Sequence, residues 1–310
     1  MKAFVVLAVV ALICATNGIR LDGFRAKHAW SSALKDTESF FDIPRNVKDA
    51  EAAGFLPVAR PTENGMEVSM RCLQNDVRVC PLYDRAGYIA GMQIAIPMKD
   101  LDGIPYDIST KMVLKTIQGD DYWTTSHYVV SQETLNGGGR RGPLDETVQF
   151  LWAQNGSQLM QIPTSESELS STLFKKQNCI PNMGTHYYYN MTEELDCHNF
   201  FPYFPLVKEG RVIGLGWQII GKTTERDRPW FESPPARAVE MTIPSAPHCL
   251  EDWAKTYGVI SLHMYYIDNP WKIKCEDSDS LQPMSVVDKF LLTSTRYTGK
   301  VIDGAKKIFG

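Results

Sequence analysis

The sequence is short of the signatures that usually announce a reaction. It has no Cys-x-x-Cys pair, no His-x-His or His-Glu-x-x-His spacing and no Gly-x-Ser-x-Gly. A zinc ribbon, a zincin and a hydrolase built on a nucleophile elbow are therefore disfavoured. A surplus of positive charge is missing too: 32 Lys and Arg face 36 Asp and Glu, a net charge of −4 with the signs interspersed. That balance leaves no electrostatic footprint for nucleic acid or anionic lipid. Long apolar runs are confined to the N-terminus, and no later segment approaches the roughly 18 apolar residues a membrane-spanning helix needs.

What is present begins with MKAFVVLAVVALICATNG at residues 1–18: one lysine, an apolar run and a small, polar end. This pattern predicts a secretory signal peptide and hence an extracellular protein. Its removal takes away Cys14 and leaves Cys72, Cys80, Cys179, Cys197, Cys249 and Cys275. An even number of cysteines in a secreted chain predicts three disulfides, with a pairing that the spacing leaves open. Asn155-Gly-Ser and Asn190-Met-Thr are acceptor sites for N-glycosylation in that compartment.

Residues 19–54 hold helix-compatible stretches, and from residue 55 onward short runs rich in Val, Ile, Tyr and Phe alternate with Gly, Pro, Asn and Asp clusters. Such alternation predicts a mostly β chain. Within it an order of landmarks recurs. Cys72, Pro81-Leu82, Gly91-Met92-Gln93-Ile94 and Val113 to Ile117 return some 125 residues later as Cys197, Pro205-Leu206, Gly216-Trp217-Gln218-Ile219 and Val239 to Ile243. His127 and His263 close the two series, after an insertion near 245–255 in the second. The expectation is two tandem antiparallel β-sandwich or barrel-like repeats at 55–140 and 145–275. The stretch GGGRRG at 137–142 is the expected linker, and 276–310 the expected C-terminal helical tail.

Alternate residues of a strand share a face, which puts His263 with Tyr265 and His186 with Tyr188. Gln218 lies in the apolar run GLGWQII, where a buried carboxamide needs a partner. We expect His186, His263 and Gln218 to carry the chemistry. The two imidazoles would hold a divalent metal and Gln218 would lend an oxygen, leaving open positions for water, dioxygen or substrate. Tyr187, Tyr188, Tyr265, Trp217 and His127 are the expected walls around a small-molecule substrate or ligand. The glycines of GRVIGLG sit in a β-like run, where they mark close packing, so ATP and nicotinamide cofactors are disfavoured.

The ordered motifs CIPNMGTHYYYN, GLGWQI and LHMYYIDNP, within residues 179–270, resemble those of a little-characterised group of secreted bacterial and invertebrate proteins. That group has a Gly-Met-Gly-x-His-[Tyr/Trp] turn, a Gly-x-Glu strand and a Leu-His-x-[Trp/Tyr] strand followed by Asn-Pro. The resemblance implies a β-fold with a shared pocket at His186, Gln218 and His263, with Asn269-Pro270 ending the last strand. Here Asn182-Met183-Gly184 replaces the usual turn, and Gln218 stands where the group has Glu. The first half has no counterpart of the HYYYN segment, so activity is expected within 179–270. Two functions follow as expectations. One is a secreted oxidoreductase, a metal-assisted oxygenase acting on a small aromatic molecule as a secreted luciferase does. The other is a non-enzymatic extracellular matrix or small-ligand-binding glycoprotein, in which the same residues pack and hydrogen-bond.

Overall fold

The computed structural model describes residues 19–20, 22–29, 36–60, 66–140, 147–148, 151–224, 226, 228–283 and 285. The expected signal peptide, Cys14 and the end of the expected C-terminal tail lie outside them. The chain is mostly β, as its composition predicts, and two large antiparallel sheets account for most of it. In the first, Gln158–Ile162 pairs with Leu151–Asn155, and the order continues through Asp120–Tyr128, Ile89–Pro97, Val79–Tyr83 and Ser69–Leu73 to Phe55–Val58. Val113–Ile117 also pairs with Asp120–Tyr128. The second runs Phe174–Ile180, Gly184–Tyr189, Tyr203–Lys208, Arg211–Ile220, Val259–Tyr265, Arg25–Lys27 and Phe40–Asp42.

The sheets pack face to face around one core in which Met92 and Ile94 of the first meet Leu215, Trp217, Leu262 and Met264 of the second. A second apolar cluster covers the outer face of the second sheet beneath two helices, Arg237–Thr242 and His248–Tyr257. With both faces covered, the central strands of that sheet are buried along nearly their whole length, which is why Arg211–Ile220 reads as a continuous apolar run. The cysteines pair as Cys72–Cys80, Cys179–Cys275 and Cys197–Cys249. The last of these ties the start of helix His248–Tyr257 to the turn Cys197–Asn199. Three disulfides fit an oxidising compartment. No helix among the described residues is long and apolar enough to cross a membrane.

Several details differ from the sequence reading. The segment 19–54, expected to be helical, supplies the strands Arg25–Lys27 and Phe40–Asp42 to the second sheet, and keeps one six-residue helix, Val47–Ala52. Asn46 caps that helix, its Oδ1 accepting from Asp49 N at 2.9 Å. The expected linker is docked as far as it is described: Gly139 lies against Asp84, and Arg140 Nη1 donates to Ile89 O at 2.6 Å. Gly216 to Thr223, GWQIIGKT, fits the letters of a phosphate-binding loop. Its first five residues are extended, hydrogen-bonded strand, so no cradle of backbone N–H groups forms there.

Candidate functional site

One row of side chains crosses the outer face of the second sheet. Registers pair Phe204 with Gly216, Gly216 with His263 and His263 with Lys27. His186 and Tyr188 share that face from the strand Gly184–Tyr189, as the alternation predicts. Gly216 contributes no side chain, and the Phe204 ring lies over it: a Cβ built there would collide with the ring. The space lets three rings lie nearly parallel, with Phe204 stacked on Tyr188 at 4.7 Å and on His186 at 5.4 Å. His263 meets this stack edge-on, its centroid 5.7 Å from that of His186.

These rings, with Gln218 and Ser261, form the floor of a cavity of about 30 Å³. Pro234, Ala238, Val239, Thr242 and Ile243 roof it, mostly from the helix Arg237–Thr242. The volume accommodates a water molecule or a single ion. His186 Nε2, His263 Nε2 and Thr242 Oγ1 are buried without a hydrogen-bond partner, and all three residues line the cavity. His186 Nδ1 lies 3.2 Å from the carbonyl oxygen of Asn178. A carbonyl only accepts, so Nδ1 carries the proton and Nε2 keeps its lone pair. Burial, and next the neighbouring His263, push the pKa of His186 down to about 3, so the ring is neutral at physiological pH. Tyr188 OH donates to Gln218 Oε1 at 3.3 Å, which is the partner Gln218 was expected to need.

Behind His263 stand two residues that the sequence reading missed. Glu232 Oε2 lies 2.9 Å from His263 Nδ1, and Glu232 Oε1 lies 2.9 Å from Lys27 Nζ. The carboxylate oxygen sits off the line of the ring N–H, so the contact with His263 is electrostatic more than a formed hydrogen bond. Lys27 Nζ also donates to Ala29 O. Burial works to raise the pKa of Glu232, but Lys27 and His263 together outweigh it and hold the carboxyl at about 2. Glu232 falls in the connection 224–236, which has no periodicity. Its only local signal is a carboxylate directly after the apolar pair Trp230-Phe231.

The remaining expected wall residues divide by strand parity. Tyr265 shares the His263 face but lies beside the cavity, its OH donating to Asn182 O at 3.3 Å. Tyr187 and Trp217 point the other way, into the core between the sheets, where Tyr187 OH donates to Glu166 Oε1 at 2.6 Å. His127 also belongs to that inner core, against Phe24, Tyr203 and Tyr266. Gln93 pairs with Ser126 as Gln218 pairs with Ser261, so the residue standing where His263 stands is Tyr128, one position on from His127. A shift of one residue moves a side chain to the opposite face. In the first sheet that outer place is filled by Arg60, which donates to Gln93 Oε1 at 3.1 Å and to Tyr128 OH at 2.8 Å.

No group of three or more His, Cys, Asp or Glu placed to hold a metal occurs among the described residues, so His186 and His263 stand as a pair. A cleft of about 1090 Å³ beside Asp84 and Tyr88 is far larger, yet no imidazole or thiol lines it. Asn190 is exposed at the end of its strand, and Asn155 is half-buried at a hairpin tip. A scan against protein-family models and searches of curated proteins and of solved structures each found no match.

Proposed function

We propose that this chain is a secreted, glycosylated oxidoreductase whose reacting centre is the cavity between His186 and His263. The two Nε2 atoms would hold one divalent transition metal, with Thr242 Oγ1 and the Gln218 carboxamide beside it, and the metal would supply the activation of dioxygen. The observation that carries this reading is the pair of buried, unpartnered Nε2 atoms facing a space the size of one ion. An imidazole that ligates a metal usually gives its other nitrogen to a carbonyl or carboxylate, and here Asn178 O and Glu232 stand at those places. With only two strong ligands from the protein, the coordination sphere stays open for chemistry.

The oxidation is that of a small electron-rich aromatic molecule. Dioxygen is the oxidant and both of its atoms enter the substrate as a hydroperoxide: a C–H bond is lost, C–O and O–H bonds form, and the two electrons come from the substrate carbon. No further reductant is needed. The innermost space is ion-sized, so the aromatic ring of the substrate stays at its mouth beneath the helix Arg237–Thr242, against Tyr188 and Phe204. We also read the shared strand order of the two sheets as a tandem duplication, in which the first copy's site is plugged by Arg60 and the second remains open. The resemblance of CIPNMGTHYYYN, GLGWQI and LHMYYIDNP to a group of secreted proteins supports the same residues.

Metal analysis of protein purified from a secreting host, then stripped and reloaded with Fe²⁺, Cu²⁺, Mn²⁺ or Zn²⁺, tests the reading. One ion per chain is expected in the wild type, and its loss in His186→Ala and in His263→Ala. Dioxygen uptake with a catechol probe should follow the content of Fe²⁺, Cu²⁺ or Mn²⁺, with the redox-inert Zn²⁺ form as the blank. No bound metal in any preparation would overturn the proposal and leave a glycoprotein whose imidazoles only pack.

A further inference from the structure

Glu232 lies in the connection between Lys222–Thr223 and the roof helix, yet its side chain has no exposed surface. Two backbone hydrogen bonds dock it beside the His263 strand: Glu232 N to Ser261 O at 2.8 Å and Ser261 N to Glu232 O at 3.0 Å. A packing role alone does not account for it. A buried ion pair is often replaceable by apolar residues without loss of stability, so a position that needed only filling has no need of Glu. The carboxylate instead divides its oxygens between Lys27 Nζ and His263 Nδ1, each at 2.9 Å.

A carboxylate offers only acceptor atoms. Beside it the neutral imidazole is more stable with its proton on Nδ1, and the Nε2 lone pair is then turned toward the cavity. We propose that Glu232 and Lys27 are a positioning pair for His263: Glu232 fixes the tautomer and orientation of the ring, and Lys27 anchors the carboxylate and balances its charge. Lys27 comes from the N-terminal strand Arg25–Lys27, so the centre is complete only when that strand has joined the second sheet. The use of the pair rests on the metal reading given above, but the tautomer it imposes does not.

Imidazole ¹⁵N spectra of the metal-free full chain test the pair directly. In spectra taken at alkaline pH, where the imidazole is neutral, His263 is expected as the Nδ1–H tautomer in the wild type. The double variant Lys27→Met/Glu232→Leu removes both charges together and so leaves no unpaired buried ion. In it, His263 should shift toward Nε2–H while His186, held by Asn178 O, keeps its tautomer as the internal control. Titration with Zn²⁺ should then show an affinity about 10–100-fold weaker, the usual consequence of losing an outer-sphere partner. An Nε2–H His263 in the metal-free wild type overturns the proposal, and this spectrum requires no variant to fold. An unchanged tautomer in the folded double variant also overturns it. A tautomer shift without Zn²⁺ binding in either protein supports the positioning role and removes the metal reading.

Discussion

At the residue scale, the histidines show how one residue type takes different roles through environment. His127 is fully enclosed between the sheets with neither ring nitrogen partnered, and burial alone holds its pKa down at about 3 against an ordinary value of 6.5. The unfolded chain therefore takes up a proton below pH 6.5 that the folded chain refuses until about pH 3. More protons on the unfolded state mean that stability falls as pH falls through this window, by at most about 1.4 kcal/mol per pH unit. His127→Phe keeps a ring in the core, removes the titrating group and spares two unpaired nitrogens. Urea midpoints between pH 7 and pH 4 should decline less steeply in the variant than in the wild type. Parallel slopes would show that another group sets the acid limb. The sequence could not separate His127 from His263, because both lie in similar Tyr-rich strands. One position of register decides which faces the inner core, and no local pattern carries that register. His186, Tyr188 and Gln218 were legible, since strand parity and an amide in an apolar run are local facts. Glu232 and Lys27 were not, because their meaning comes from a contact 205 residues apart in the chain.

At the scale of the element, the strand Arg211–Ile220 couples sheet packing to the site through Gly216. Its glycine is required by close approach, not by backbone conformation, since the Phe204 ring occupies the space a side chain would fill. Phe204 is itself buried, packs against both His186 and Tyr188 and lines the cavity, so the open space nearest to a displaced ring is the cavity. Gly216→Ala should cost about 1–3 kcal/mol, the usual penalty of overpacking a filled core. It should also weaken Zn²⁺ binding at the proposed centre, because a ring displaced into the cavity would enter the space between the two imidazoles. Thermal unfolding and calorimetric Zn²⁺ titration on the same preparation separate the two effects. A destabilised variant with unchanged affinity would mean that Phe204 relaxes away from the cavity and that the ring stack does not set its size.

At the scale of the whole molecule, the strand orders interlock the two halves of the chain. The hairpin Arg25–Lys27 and Phe40–Asp42 precedes the meander of the first sheet, yet it joins the second. Leu151–Asn155 and Gln158–Ile162 precede the meander of the second sheet, yet they join the first. The mostly β character was legible from composition and turn spacing. This exchange was not, because a strand's pattern reports which face is buried and says nothing of which distant partner it meets. Boundaries placed at 140 and 145 therefore fall at a joint in the sequence that is no joint in the fold. Each half lends the other an edge hairpin, and Thr125 Oγ1 and Tyr203 OH share a buried hydrogen bond of 3.0 Å across the core. Separation would strip two strands from each sheet and expose the apolar face between them. Differential scanning calorimetry is expected to give one endotherm, with a calorimetric to van't Hoff enthalpy ratio near 1, as cooperative units do. Two resolved transitions, or a fragment of residues 145–285 that folds by itself, would refute the interlock. The site would then depend on the second half alone, and Lys27 would lose its claim to belong to it.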